Sequence, residues 1–344
     1  MHTGPMHIGI VGAGKMGANM ALRLMRGGHQ VAIQDINPAA YAPIVAAGAS
    51  GAATLADLIA LLPAPRTVWL MVPAGPITER TVAALADLLS PGDTLIDGGN
   101  SYYKDSVTRA QALAAKQIDL LDVGTSGGVH GLDRGYCLMV GGNTAAAQRN
   151  APIFTTLSPG MGAIARTAAR AAAAEPGDTA EQGWLHCGPA GAGHYVKMIH
   201  NGIEYGLMQA YAEGFALLAT ADSPALPDVR RYDLDCGAIA ELWRRGSVVS
   251  SWLLDLSAEA LAETPDLAPY SPQVQDSGEG RWTVDAALEQ AVSAPVLTLS
   301  LFERFRSRTT DGFGDRLLSA MRYKFGGHVA PKPEVVVLAA KTAA

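Results

Sequence analysis

From residue 6 to about residue 188 short apolar runs alternate with helix-length stretches rich in Ala and Leu, and no other feature limits the possible folds so strongly. HIGIV, VAIQD, TVWLMV, TLIDG, IDLLDV, CLMVGG and WLHCG are the strand candidates. Strands that take turns with helices run mostly parallel, and a parallel sheet needs helices on both faces. The expected class is α/β, with a doubly wound, mostly parallel sheet of the Rossmann type over residues 1–189. Beyond Pro189 the strand signals stop, and helical patterns follow over 194–220, 237–245, 248–262 and 282–308. They predict an all-helical C-terminal domain over 190–330 and a tail over 331–344. The segment 166–183, Ala-rich and then Glu-Pro-Gly-Asp, reads as an exposed insertion.

Composition limits the partners. The 344 residues are 49% hydrophobic and 17% charged, enough for a large core and two domains. A net charge of −6 without a basic block argues against nucleic acid or an acidic membrane surface as partner. Cys137, Cys187 and Cys236 are far apart and without C-x-x-C spacing, so neither a disulfide framework nor a metal site is expected, and a reducing cytoplasm fits. No apolar run reaches the roughly 18 residues of a membrane span, and no charged n-region precedes an apolar h-region at the start, so neither export nor anchoring is expected.

IGIVGAGKMG places Gly12, Gly14 and Gly17 in a G-x-G-x-x-G turn between the first strand and a helix. Such a turn lets a pyrophosphate approach backbone N–H groups at the helix N-terminus. The second strand ends in VAIQD, and Asp35 there would accept from a ribose 2′-hydroxyl and repel a 2′-phosphate, which favours NAD over NADP. Asp35 could equally cap the helix that begins near Asn37-Pro38.

Ligands of an open parallel sheet bind beyond the carboxyl ends of its strands. Three loops there are unusual: VPAGP with Val72, Pro73 and Ala74, DGGNSYYKDS with Asn100, and DVGTSGGVHGLDRG with Ser126, Gly127 and Gly128. The glycine pairs Gly98-Gly99 and Gly127-Gly128 of the last two let backbone amides approach a ligand, although the same residues are common in plain turns.

In GHYVKMIHNGIEYG a helix would put Lys197, His200, Asn201 and Glu204 at i, i+3, i+4 and i+7, a narrow polar line among Val196, Met198, Ile199, Ile203 and Leu207. On a buried helix such a line must find its partners inside the protein or in a ligand. A satisfied internal network bracing two domains is the structural alternative. A desolvated lysine can serve as a base near neutral pH and a carboxyl in an apolar setting as an acid, so the line can face one substrate with both.

With GAGKMG, DGGNS, GTSGGVHG, GPAGAGHYVKMIHNGIEYG, DSGEGRWT and RYKFGGH, the sequence resembles decarboxylating 6-phosphogluconate dehydrogenase, in the short form with one helical substrate domain, within the β-hydroxyacid dehydrogenase superfamily. The resemblance implies oxidation of 6-phosphogluconate at C3, loss of C1 as carbon dioxide without a metal, and ribulose 5-phosphate as product. It implies that Lys197 takes and returns the hydroxyl proton, that Glu204 helps protonate C1 of the enediol, and that Asn201 and His200 hold hydroxyls and carboxylate. Asn100, Ser126, Gly127 and Gly128 would form the opposite wall, and Tyr205, Arg281, Thr283 and Arg304 the phosphate end, with Arg306 and Arg308 close enough to contest the place of Arg304. Arg322 and His328 match residues that the family donates from a neighbouring subunit, which implies an obligate homodimer with shared sites, or a tetramer built from it. Gly12, Gly14, Lys15, Met16, Gly17, Asp35, Val72, Pro73, Ala74 and Asn100 would bind the cofactor. Asp35 and Pro73 stand where NADP-using members carry cations, which favours NAD, as in short members that feed gluconate catabolism. An unphosphorylated hydroxy acid would leave Arg281, Arg322 and His328 without a use, and a non-catalytic nucleotide sensor would have little need of both acid and base.

Overall fold

The computed structural model describes residues 4–172, 178–309 and 312–326. Eight strands, β1 (His7–Val11), β2 (Gln30–Gln34), β3 (Ser50–Ala52), β4 (Thr67–Leu70), β5 (Thr94–Asp97), β6 (Asp119–Ser126), β7 (Cys137–Gly142) and β8 (Trp184–Gly188), form one sheet in the order β3-β2-β1-β4-β5-β6-β7-β8. The expected mostly parallel, doubly wound sheet is present. Neighbouring residues of the central strands feed opposite faces: Trp69, Ile96 and Leu121 join the layer of Ile8, Met20 and Phe154, whereas Val68, Leu70, Leu95 and Leu120 join that of Leu58, Val82 and Leu85. β3 escaped the sequence reading because Ser-Gly-Ala offers no apolar run.

Among the described residues the one antiparallel pairing, β6 with β7, matters for the site. Cys137 lies opposite Ser126 and Gly142 opposite Leu121, so the chain returns along β6 toward the end at which that strand begins. β8 runs with β7, and Gly188 lies opposite Gly141. The helix Ala192–Ala219 therefore starts beside the early part of β6 and follows that strand toward its carboxyl end. Gly191 N and His194 N donate to the Asp122 carboxylate at 2.7 and 2.9 Å. A Cβ on Gly124 would lie 2.3 Å from Lys197 Cβ, and one on Gly193 would lie 2.3 Å from Asp122 O, so glycine is what lets helix and strand touch. His200 then meets Ser126. Asp122, Gly124 and Ser126, alternate residues on one strand face, match His194, Lys197 and His200 on one helix face.

The described chain divides into two compact units, Met1–Gly214 with Ser277–Thr298, and Phe215–Asp276 with Leu299–Ala344. The sheet, most of the long helix and the helix Glu279–Glu289 belong to the first. The second contains Cys236–Arg244, capped by Asp235, and Trp252–Glu263, capped by Ser251. The Ser251 cap starts that helix later than the 248–262 pattern suggests. The pattern over 282–308 is two helices rather than one, Glu279–Glu289 and Pro295–Ser307, because Ala291 turns to φ +54° and Pro295 restarts the chain. Of the expected insertion, Ala168–Ala172 is an exposed helical turn, and Arg166 pairs with Glu181 at 2.6 Å. His328 and the tail over 331–344 lie outside the described residues.

Candidate active site

The glycines of the first turn do different work. Gly12 sits at φ +101°, and a Cβ there would lie 2.3 Å from Met71 O; a Cβ on Gly17 would lie 2.0 Å from Gly12 O. Both close the turn. Around Gly14, exposed at the N-cap of Lys15–Arg26, a Cβ would meet nothing within 4 Å. That helix has no side-chain cap and no acid in its first turn, so its first N–H groups and its dipole are left for an anion, and Lys15 and Met16 flank the opening. Asp35 Oδ2 accepts from Ala13 N at 2.7 Å and Oδ1 from Asn37 N at 2.8 Å, which ties the end of β2 to the turn. The helix Pro38–Ala46 is capped by Asn37, so the capping alternative for Asp35 falls away. Each Asp35 oxygen keeps a lone pair for a ribose hydroxyl.

The second loop is fixed from below. Buried Asp97 accepts from Gly99 N, Ser101 Oγ and Arg109, the last at 2.9 Å, and the Arg109 guanidinium also reaches Glu79. Asn100 stays exposed above this network. Thr78 Oγ1 donates to Pro73 O and holds the loop of Val72, Pro73 and Ala74. Gly127 at φ +141° and Gly128 at φ +52° turn the chain after Ser126, and a Cβ on Gly128 would point into open space.

Lys197 is 7% exposed, and burial pushes its amine below the ordinary lysine value, against the pull of Glu204 and Glu279. Its Nζ donates to Asn201 Oδ1. His200 Nδ1 lies 3.0 Å from the same oxygen, which can only accept, so a neutral His200 carries its proton on Nδ1 and accepts from Ser126 Oγ at Nε2, 3.3 Å away. Glu204 is half-exposed, with a carboxylate oxygen 3.8 Å from His200 Nδ1. Ser106 Oγ, 2.8 Å from His194 Nδ1, fastens the start of the helix to Tyr103–Ala114.

The helix Glu279–Glu289 completes this wall. A Cβ on Gly202 would lie 2.6 Å from Thr283 Cγ2, and one on Gly280 would lie 2.6 Å from the Tyr205 ring. Thr283 Oγ1 lies 2.9 Å from Met198 O and 2.8 Å from Glu279 O, and Tyr205 Oη accepts from Ser277 N at 3.1 Å. Arg281 is exposed on the same helix. Glu279, which the sequence reading missed, is 2% exposed, and neither of its carboxylate oxygens has a hydrogen-bond partner among the described residues. Its signal was an acid held between two glycines just ahead of a helix in DSGEGRWT.

The first unit thus brings together Lys197, Asn201, His200, Glu204 and Ser126, with Tyr205 on the same helix and Thr283 packed against it. Arg304 and Arg322 belong to the second unit, where Arg304 donates to Gln275 O at 2.7 Å and Arg308 to Asp276 at 2.9 Å. The flank of the long helix is more open than a fully buried helix would allow: Ile203 is 51% exposed, and Val196 and Leu207 are also exposed. No group of three or more His, Cys, Asp or Glu among the described residues could hold a metal ion.

A glycine turn that offers helix N–H groups to a pyrophosphate, together with a desolvated lysine bonded to asparagine, defines a dinucleotide-dependent dehydrogenase of hydroxy acids. Residues 7–165 match the family model of the NAD binding domain of 6-phosphogluconate dehydrogenase, and residues 193–316 that of its C-terminal domain. YqeC of Bacillus subtilis (strain 168), assigned provisionally as a 6-phosphogluconate dehydrogenase, is 40% identical over 328 residues, covering 95% of this chain and 100% of that one. A Haloferax volcanii protein named NAD(+)-dependent, decarboxylating 6-phosphogluconate dehydrogenase is 41% identical over 324 residues, 94% of this chain and 98% of that one. The solved Plasmodium falciparum 6-phosphogluconate dehydrogenase superposes with a TM-score of 0.73 at 25% identity, over 95% of this chain and 67% of that one. The chain belongs to the 6-phosphogluconate dehydrogenase family.

Proposed function

We propose that this chain oxidises 6-phosphogluconate with NAD, releases C1 as carbon dioxide and delivers ribulose 5-phosphate. The observation that carries the reading is Lys197, buried, bonded to Asn201 and on the same helix face as Glu204, about two turns away. Its depressed proton affinity keeps more of the amine in the neutral form that can take the C3 hydroxyl proton. The ammonium so formed returns the proton to the carbonyl oxygen as C1 leaves, and Glu204, open to solvent on one side, supplies a proton to C1 of the enediol. Asn201 and His200 orient the hydroxyls and carboxylate, opposite Asn100, Ser126, Gly127 and Gly128. Tyr205, Arg281 and Thr283 serve the phosphate, a dianion that needs such partners once out of water, and the family resemblance assigns Arg304, Arg322 and His328 to the same group.

NAD, when bound, supplies the hydride acceptor. The open space at Gly14, the uncapped helix behind it and Asp35 at the end of β2 fit its pyrophosphate and adenosine ribose, with Lys15, Met16, Val72, Pro73 and Ala74 around it. The name of the Haloferax volcanii relative supports the same cofactor. We place the protein in a reducing cytoplasm, a reading that its three free thiols support, and in gluconate catabolism. We read it as a homodimer with shared sites, because the helix Phe313–Gly326, which carries Arg322, exposes Leu317, Leu318 and Met321. No helix among the described residues is long and apolar enough to cross a membrane.

The test is a coupled assay of the purified protein with NAD or NADP against 6-phosphogluconate and unphosphorylated hydroxy acids. Formation of NADH and carbon dioxide from 6-phosphogluconate is expected. Faster turnover of an unphosphorylated acid, or reduction of NAD without carbon dioxide, would overturn the reading.

A further inference from the structure

The loop that follows Ser126 is fastened to the helix that faces the cofactor. Lys15–Arg26 places Asn19, Arg23 and Arg26 at i, i+4 and i+7, one line along one face. Asn19 Nδ2 donates to Val129 O at 2.9 Å, and Arg23 Nη1 donates to Leu132 O at 3.0 Å. Arg26 meets the Asp133 carboxylate at 3.2 Å, but both side chains are largely exposed and such a pair holds little. The rest of the Arg23 fork turns to where the chain comes back. Nε donates to Thr156 O and Leu157 O, both at 3.0 Å, and Nη2 to Ser158 O at 2.8 Å. These are carbonyls at the end of Ala151–Leu157 and its C-cap, which a helix leaves without partners of its own. Leu157 O also accepts from Tyr136 N, just past the loop.

Half-buried Arg23 gives all of these bonds to main-chain carbonyls, so what it fixes is the path of the backbone. From below, the loop lies on Tyr136, whose ring a Cβ on Gly131 would overlap at 2.0 Å. Gly127 and Gly128, at φ +141° and +52°, have no side chains to anchor them, so their place depends on what holds Val129 and Leu132.

We infer that Asn19 and Arg23 are positioning residues that index the substrate wall of Ser126, Gly127 and Gly128 to the cofactor helix, so that hydride donor and acceptor are placed from one rigid element. The inference rests on the proposed reaction. Hydride transfer needs reacting atoms about 3–3.5 Å apart, and a misplacement of about 1 Å can cost about 100-fold. A wall that drifts against the helix slows the hydride step and weakens substrate binding. It leaves the pyrophosphate site at the helix N-terminus as it was.

The experiment compares wild type, Asn19→Ala and Arg23→Lys, the last of which keeps the charge and loses the fork. Three quantities are measured: hydrogen exchange over residues 127–134 without ligand, NAD affinity by fluorescence titration, and the kinetics of 6-phosphogluconate carrying hydrogen or deuterium at C3. In both variants exchange over 127–134 is expected to quicken about tenfold while NAD affinity stays within about twofold. KM for 6-phosphogluconate is expected to rise several-fold and kcat to fall about tenfold. The deuterium effect on kcat should rise, because hydride transfer then limits turnover. A variant that is merely less stable has fewer active molecules but the same isotope effect. Wild-type KM and isotope effect beside a lowered Tm would overturn the inference, and so would weakened NAD binding with KM unmoved. Asn19→Ala, which loses one bond from a half-buried side chain, carries the same prediction where Arg23→Lys does not fold. A wild-type protein that does not turn over 6-phosphogluconate would instead sink the proposed function. Exchange over 127–134 would still test the inference, and an unchanged rate in both variants would overturn it.

Discussion

At Gly12, Gly14 and Gly17 the first unit gathers backbone N–H groups by leaving side chains out, whereas along Lys197, His200, Asn201 and Glu204 it gathers side chains and half-buries or buries them. The turn is defined by volume: what must not be there. The helix face is defined by chemistry, and each group on it depends on a neighbour for its charge or tautomer. A substitution at the turn should therefore act through shape and binding, and one on the helix through proton transfer.

The largest separation of the two is expected from Lys197→Met, which should lower kcat by on the order of 10³-fold or more while NAD binding, followed by fluorescence titration, stays within a few-fold. Lost NAD binding would mean that the lysine is structural. Next come two alanines in one turn. Gly14→Ala, whose Cβ enters open space, should melt like wild type yet bind NAD at least tenfold more weakly, because that space belongs to the ligand. Gly17→Ala, aimed at Gly12 O, should lose about 1–3 kcal/mol of stability, read by denaturant titration. Equal behaviour of the two would erase the distinction between closing and opening glycines. Asp35→Arg should move preference toward NADP by about tenfold and cost about 1 kcal/mol through the lost Ala13 bond. Unchanged preference would remove Asp35 from the ribose.

The smallest effect concerns pH and stability. The Lys197 amine binds protons less readily in the folded chain than in the unfolded one, so between its lowered folded value and the ordinary lysine value the unfolded state holds more protons, and wild-type stability gains as pH rises through that window. Lys197→Met lacks this gain. The Tm of the variant minus that of wild type should therefore fall by a few degrees as pH is raised from about 7 to about 10, and a flat difference would contradict the desolvation of Lys197.

The turn was legible because its residues are consecutive and backbone geometry leaves few choices: Gly at φ +101° has almost no substitute at position 12. The polar line was legible because a helix converts spacing into direction. What stayed hidden joins segments far apart in sequence. Nothing local in Asp97 announces that Arg109 will be drawn to it beneath Asn100, and nothing in Arg23 announces Leu132. The break between Glu279–Glu289 and Pro295–Ser307 was missed because the apolar rhythm continues across it, although Pro295 marked the restart. β3 depends on its neighbour β2 rather than on Ser-Gly-Ala.

Along β6 the strand advances by two residues, from Asp122 to Gly124 to Ser126, while the helix advances by three, from His194 to Lys197 to His200. Two scales of unequal division laid edge to edge form a vernier, and a vernier is indifferent to what its marks are made of but not to their number. Adding one residue between Asp122 and Ser126 turns the later marks to the other face of the strand, and adding one between His194 and His200 swings the later ones by about 100°. In lineages that descend from such a chain, lengths can drift in surface loops, but the count along these two short rulers has to be inherited whole.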